Sequence, residues 1–304
     1  MSSVSKVCMS PGGPEFSPFV QGYWRLAEWG MSSAELLTFI SQHVAQGITT
    51  VDHAPVYGDP SCESLFGAAL KLDPSLRNRL EIVSKCGIEK PPEGGGAGAV
   101  AHYDSSKGAI IASVEGSLSR LGVDHLDVLL VHRYDFLMQA DEVAEAFVAL
   151  KASGKVRHFG VSNFSPSQFS LLQSRLDAPL VTNQVEINPV NFGVVSDGTL
   201  DQLQEGRVRP MAWSCLAGGE IFQGQSAQMI RLRETLEVLR EELGAESIDQ
   251  VIFAWIMQMP SHPVPILGSG NITRVTTALG ALDLNLSREQ WYRLWGASKG
   301  HGVP

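Results

Sequence analysis

Several features that define whole classes of protein are missing from this chain. It has only four cysteines in 304 residues, Cys8, Cys62, Cys86 and Cys215, and no Cys-x-x-Cys pair. Thiols so scattered build neither a disulfide framework nor a zinc site, and they imply reduced cysteines in a cytosolic protein. No apolar run approaches the roughly 20 residues of a membrane span, and Met1 to Pro14 lack the apolar core of a signal peptide. Positive charge is scarce, with 23 Lys and Arg against 32 Asp and Glu, a net charge of -9. With no basic run to offset it, that balance excludes nucleic acid and anionic membrane surfaces as partners. Ligand motifs are missing too. There is no phosphate loop of the Gly-x-x-x-x-Gly-Lys-Ser/Thr form, and no Gly-x-Gly-x-x-Gly joins a strand to a helix, so a Rossmann domain is not expected. The glycines between Pro91 and Gly98 read as a plain loop. No His-Glu-x-x-His or Cys/His cluster is present, so no metal is expected.

What is present is a regular alternation of short apolar runs and amphipathic stretches. With 44% hydrophobic residues the chain can bury a large core. Strands are expected at Phe19–Trp24, Thr49–Asp52, Leu80–Lys85, Asp127–His132, Val156–Val161, Leu180–Gln184, Val208–Trp213 and Val264–Leu267. Between them lie helical stripes. Leu36, Leu37, Ile40 and Val44 follow a capping box at Ser32–Glu35, and Gly47 ends that helix. A helix starting near Pro60 carries Leu65, Phe66 and Leu70. Ile110, Ile111, Val114, Leu118 and Leu121 form the next stripe, followed by a helix over 141–153. Ser165-Pro166-Ser167-Gln168 combines an N-cap, a proline at N1 and a capping glutamine. Ser247-Ile248-Asp249-Gln250 caps another helix, with Val251, Ile252, Trp255 and Ile256 on its apolar face.

Eight strands alternating with helices, with no linker between, predict a single (β/α)8 TIM barrel domain over residues 1–304. A doubly wound open sheet is the alternative. Pro210 and Pro265 loosen the strand boundaries, because proline removes a ladder donor. In a barrel every strand points its C-terminal end to one face. The residues there are Trp24, Asp52, Lys85, His132, Asn163, Gln184, Trp213 and Ser269. All are polar or aromatic, while the strand interiors are apolar.

Singly, each has an ordinary explanation: an Asp there caps a helix, a Lys is solvated, a loop Tyr packs, a His sits in the core. Together on one face, Asp52, Tyr57, Lys85 and His132 can do chemistry. A phenol is a poor acid at neutral pH, its unperturbed pKa being about 10. A lysine ammonium beside it favours the phenolate, and a carboxylate keeps that lysine charged and in place. A histidine can donate a hydrogen bond to a substrate oxygen. Such a group could protonate a carbonyl oxygen as negative charge develops on it. Reduction then needs a hydride source, which implies a nicotinamide. Gly268-Ser269-Gly270 at a helix start could offer backbone N–H groups to a phosphate, and Arg274 could meet a second one.

At these residues the chain resembles the aldo-keto reductase superfamily, and within it bacterial oxidoreductases. The resemblance runs from Gly22-Tyr23-Trp24 to the last helix. It is carried by Asp52 to Gly58, Ile82-Val83-Ser84-Lys85, Asp127 to His132 with the preceding Ser117 to Leu121, Gly160-Val161-Ser162-Asn163-Phe164, Asn183-Gln184-Val185-Glu186, and Pro265 to Gly270. It implies a catalytic tetrad of Asp52, Tyr57, Lys85 and His132. Tyr57 would be the acid, Lys85 would lower its pKa, Asp52 would support Lys85, and His132 would orient the carbonyl. It further implies that Ser162, Asn163 and Gln184 hold a nicotinamide carboxamide on which Trp213 stacks. Ser214, Leu216 and Gly218 would follow the pyrophosphate, Gly22, Tyr23 and Trp24 would border the ring, and Gly268, Ser269, Gly270, Asn271 and Arg274 would surround the adenosine 2′-phosphate. The cofactor implied is NADPH, with NADH possible because Asn271 stands where the family often has a basic residue. Gly280 falls where an adenine-contacting side chain is usual. The short segment after Trp295 implies an open, permissive pocket; the resemblance implies a small-molecule carbonyl substrate and a monomer. Two other readings remain: a regulatory barrel that binds NADP(H) without turnover, and a Schiff-base lyase using Lys85 as nucleophile.

Overall fold

The structure is a computed structural model and describes residues 4–59, 61–91 and 98–304. Eight strands close into a parallel barrel: β1 Val20–Gly22, β2 Thr50–Asp52, β3 Glu81–Cys86, β4 Leu126–Val131, β5 Val156–Ser162, β6 Asn183–Glu186, β7 Met211–Trp213 and β8 Val264–Leu267. Each strand pairs with its neighbours in sequence, and β8 returns to pair with β1 through Ile266 and Val20. The barrel, not the open sheet, is the fold.

The two-residue period of a strand decides what faces the lumen. Met9, Phe16, Val20, Val83, Val128, Leu130, Val181, Met211 and Val264 form one small buried cluster, which fills the barrel. Val51, Ile82, Leu129, Val131, Val161, Val185 and Ala212 belong to the larger cluster between sheet and helices. Lys85 therefore sits two residues above Val83 on the inner side, His132 two above Leu130, and Trp213 two above Met211. Registers align these tips: Gly22 lies opposite Asp52, and Ser162 opposite Gln184. A residue alternation therefore places the candidate groups in one layer at the mouth.

The helices that wrap the sheet include α1 Ser33–Ala45, α2 Ser61–Leu70, α3 Lys107–Leu121, α4 Ala140–Ala152, α5 Pro166–Gln173 and α6 Thr199–Glu205. Further on come α7 Glu220–Gln223, α8 Ala227–Leu243, α9 Ile248–Met257, α10 Ile272–Ala278 and α11 Arg288–Lys299. Full capping boxes form at Ser32 and at Ser165, as their sequences predict. Ser247 differs. It stands at the N-cap of α9, but its side chain makes no capping bond. Gln250 turns instead to the Thr277 carbonyl at 2.6 Å, tying α9 to the end of α10. Helix α2 begins at Ser61, beside the expected start near Pro60; Pro60 itself and most of the glycine-rich loop lie outside the described residues.

Some elements have no counterpart in the sequence reading. A hairpin pairs Val7–Cys8 with Glu15–Phe16 and closes the bottom of the barrel, burying Met9 and Phe16 under the lumen cluster. A second pairs Ile88–Glu89 with His102–Tyr103 beside the mouth. The segment after Gly219 contains the 17-residue α8, held by Met229, Leu232, Leu236 and Leu239. Strand β7 begins at Met211, not Val208, because Pro210 has no N–H to give; its carbonyl still accepts from Val264 at 2.8 Å. No helix among the described residues is long and apolar enough to cross a membrane.

Candidate active site

Lys85 is the fixed point of the mouth. Its side chain is fully buried, and its ammonium donates to both Asp52 oxygens at 2.7 Å and to the His53 carbonyl at 2.8 Å. Three hydrogens therefore meet three acceptors, which is the condition for keeping a charge out of water. Burial pulls the lysine pKa down and Asp52 pulls it back up. Glu63 adds to that upward pull. It lies on α2 behind the sheet, accepting from Ser84 at 2.7 Å and from Arg120 at 2.8 Å, and so clamps β3 from outside.

Asp52 has a third donor, Gln184 Nε2, at 2.8 Å. That amide group is committed to the carboxylate in this structure. His53 is wholly buried, stacked on Tyr23 at 4.9 Å and edge-on to Phe66 at 4.4 Å. Burial pushes its pKa down to about 3, so the ring is neutral. Its packing holds the carbonyl that Lys85 uses, a role hidden from motif reading because the backbone atom acts.

Tyr57 reaches the same place from the turn after β2. Its N–H donates to the Ala54 carbonyl at 3.1 Å, and Gly58 follows with φ +63, a left-handed conformation that glycine adopts without strain. The Lys85 nitrogen lies 4.8 Å from the Tyr57 ring centroid, and His132 meets that ring edge-on at 5.8 Å. The expectation that Lys85 lowers the Tyr57 pKa is not met. Burial, and then the Asp52 charge, hold the phenol well above its ordinary value, with Arg133 opposing them. The lysine hydrogens are spent on Asp52 and His53, leaving none for the phenol. The phenol accordingly carries its proton at neutral pH. His132 is also held well below its ordinary pKa, by burial first and then by Lys85 and Arg133, so it stands as neutral imidazole.

Beside this cluster the ends of β5, β6 and β7 are cross-linked. Ser162 Oγ donates to the Gln184 carbonyl at 2.9 Å, Asn163 Nδ2 donates to Ser162 Oγ at 2.8 Å, and Trp213 Nε1 donates to Asn163 Oδ1 at 3.1 Å. Asn163 itself has φ +57. This chain of bonds sets the indole at the mouth. Two cavities flank it. One, of about 350 Å³, runs under the loop after β7 and is lined by Ser214 and Gly218 among others. The other, of about 400 Å³, is lined by Arg133, Asn163 and Trp213.

Other residues implied by the resemblance are placed less directly. Gly22 leaves no room for a side chain: a Cβ there would lie 2.7 Å from Ile266 and 3.0 Å from the Leu267 carbonyl. Tyr23 is turned away from the mouth. It is fully buried and its hydroxyl meets His43 Nε2 at 2.8 Å, so its side chain belongs to the core. Trp24 is 62% exposed, with Arg25 over its ring. Leu216 packs against the core at the edge of the β7 loop. Ser269 Oγ accepts from the Asn271 N–H at 3.1 Å, and Asn271 caps α10 by accepting from Thr273 at 2.9 Å. Gly268 is open to solvent on its Cβ side, whereas a Cβ on Gly270 would strike the Trp29 ring at 2.5 Å. Arg274 is exposed, with no ion pair among the described residues. Arg133, one residue beyond His132, was not anticipated; only its adjacency to a candidate histidine could have flagged it.

This arrangement matches a known family. The aldo/keto reductase family covers residues 18–298. The chain belongs to that family. It is 55% identical to the oxidoreductase YdhF of Escherichia coli, over 99% of this chain and all of that protein. It is 42% identical to a 6-dehydroglucose reductase of Agrobacterium fabrum, over 95% of this chain and 96% of that one. Among solved structures, an aldo/keto reductase of Klebsiella pneumoniae in complex with NADP and acetate superposes with a TM-score of 0.76 and 25% identity, covering 95% of this chain and 94% of that chain. Aldo-keto reductases are NAD(P)H-dependent oxidoreductases, with NADP(H) as the family's cofactor.

Proposed function

We propose that this aldo-keto reductase reduces aldehyde or ketone carbonyls to alcohols with NADPH, and that Tyr57 supplies the proton. The observation carrying this reading is the buried Lys85 ammonium, bonded to both Asp52 oxygens and 4.8 Å from the Tyr57 ring. When bound, the reduced nicotinamide supplies a hydride to the carbonyl carbon. The remaining work falls to the chain. Neutral His132 donates a hydrogen bond to the carbonyl oxygen and fixes its direction. Tyr57, loaded with its proton, gives it up as charge develops on that oxygen. The Lys85–Asp52 pair holds the Tyr57 ring in position for that transfer.

The residues present suit the cofactor. The half-buried indole of Trp213 offers a flat face, and Ser162 and Asn163 border it with polar atoms. Ser214 and Gly218 line an open cavity along the β7 loop, and Gly218, at φ +65, has free space where a Cβ would stand. Arg274, exposed and without an ion pair among the described residues, would read a 2′-phosphate. Gln184 would take part only by sharing its amide with Asp52. On this reading residues 1–304 act as one domain, a monomer in the cytoplasm.

The Schiff-base alternative needs a neutral lysine with a free lone pair. Lys85 instead spends all three hydrogens on acceptors, which favours the charged form, so this geometry speaks against it. Titrating the protein with NADPH and NADH by tryptophan fluorescence, then adding an aromatic aldehyde and following loss of reduced nicotinamide absorbance, tests the proposal. Binding with turnover supports it. Binding without turnover favours a regulatory barrel, and no binding of either nucleotide rejects it.

A further inference from the structure

Arg133 is a cation at the mouth with no anion to hold. Its guanidinium carbon lies 5.7 Å from the centre of the Trp213 indole. The side chain is partly buried, and no hydrogen bond or ion pair engages it among the described residues. An arginine with all its donors free in a partly desolvated site is unusual, because its planar fork normally finds a carboxylate or phosphate. The backbone around it is fixed on both sides. The His132 N–H donates to the Cys86 carbonyl at 2.9 Å. Two residues on, buried Asp135 accepts from Ser105 N–H at 3.1 Å, Ser105 Oγ at 2.7 Å and Leu137 N–H at 2.8 Å.

The surroundings show why the charge stays free. Two carboxylates line the same cavity of about 400 Å³, and both are satisfied by neutral groups. Glu186 accepts from Asn188 at 3.1 Å and Asn191 at 2.7 Å, and Asp197 accepts from the Thr199 N–H at 2.8 Å. Arg133 also lies close enough to Tyr57 and His132 to bias their protonation. The cation thus follows His132 directly in the chain and lines this cavity together with Trp213.

We propose that Arg133 is the specificity-determining residue of this site and that the favoured substrates are carbonyl compounds bearing a carboxylate, which the guanidinium anchors while the carbonyl faces Tyr57 and His132. The inference rests on the carbonyl-reductase reading above. A guanidinium can grip a carboxylate through two parallel hydrogen bonds, and such charge-assisted contacts are about twice as strong as neutral ones. The indole beneath keeps the fork flat and limits its motion.

The test compares 4-carboxybenzaldehyde with 4-methylbenzaldehyde, each with saturating NADPH. In the wild-type protein the ratio of kcat/KM, acid over neutral, should exceed one, and the KM of the acid alone should rise with salt as the ion pair is screened. Arg133→Gln should lower that ratio by about 10- to 100-fold, the factor expected for losing a charge-assisted bidentate contact. Arg133→Lys should recover part of it. A ratio in Arg133→Gln within about twofold of wild type would overturn the proposal, as would a wild-type KM for the acid indifferent to salt. A loss traced to NADPH affinity would overturn it too, since Arg133 would then serve the cofactor. Turnover of the neutral aldehyde with no Arg133-dependent ratio sinks this inference alone. Absence of turnover with either aldehyde sinks the reductase reading and this inference with it.

Discussion

Asp52→Ala isolates the electrostatics of the mouth. It removes a carboxylate that accepts from a buried ammonium at 2.7 Å on each oxygen, and from Gln184 at 2.8 Å. Breaking one side of a buried pair is destabilising by about 3–5 kcal/mol, because the remaining charge stays out of water. Here the loss has a ceiling, since Lys85 can give up its proton on folding. From an unfolded pKa of about 10.4, neutralisation at pH 7 requires about 4.6 kcal/mol, at 1.36 kcal/mol per pH unit. At pH 9 the same step requires only about 1.9 kcal/mol.

The sign follows from where the protons sit. Burial already lowers the Lys85 pKa in the folded protein, and the Asp52 charge is the main influence raising it. Without Asp52 the folded pKa falls further, so the unfolded chain binds more protons over a wider range below 10.4. Stability of the variant then rises with pH through that range. The stability gap between wild type and variant should be full near pH 7 and should narrow by up to about 2.7 kcal/mol by pH 9. Urea unfolding at the two pH values measures it. A gap constant to within about 0.5 kcal/mol, the usual uncertainty of such comparisons, would refute the assignment of Lys85 as a buried charge dependent on Asp52.

Two further outcomes follow from the same site. Arg274→Ala should weaken NADPH binding more than NADH binding in fluorescence titration; equal losses would show that Arg274 does not read a 2′-phosphate. The pH dependence of carbonyl reduction should lack an inflection near 6.5, because His132 is held neutral well below that value. Its basic limb should lie above pH 10. The required acid is protonated Tyr57, whose raised pKa keeps its proton below that limb and loses it only as pH climbs through the raised value. A reduction rate that halves between pH 8 and 9 would contradict this.

The layer of candidate groups was legible because strands alternate strictly. Once Val83 and Leu130 face the lumen, Lys85 and His132 must face it too, and an apolar run ending in a charge shows both facts at once. The helices with sharp N-terminal signals, at Ser32 and Ser165, were legible for the same kind of local reason. Helix α8 was missed although Met229, Leu232, Leu236 and Leu239 repeat at helical spacing, because its other faces are charged. The two-residue strands of the hairpins carry too little pattern to be seen. Tyr23 was misjudged because a strand-end aromatic can turn either way. Here His43 and His53, brought in by α1 and β2, draw it into the core. Arg133 and the His53 carbonyl depend on loop geometry and on a backbone atom, neither of which a residue pattern encodes.

The central claim is that Tyr57 delivers the proton, and Tyr57→Phe tests it with the least disturbance to the fold. The phenol lies against Lys85 and His132 through its ring, so the substitution keeps the packing and removes only the hydroxyl. Turnover of an aromatic aldehyde should fall by roughly 10²- to 10⁴-fold, the range for loss of a general acid, while NADPH affinity by fluorescence stays near that of the wild type. A Tyr57→Phe protein that reduces the aldehyde at the wild-type rate would contradict the account.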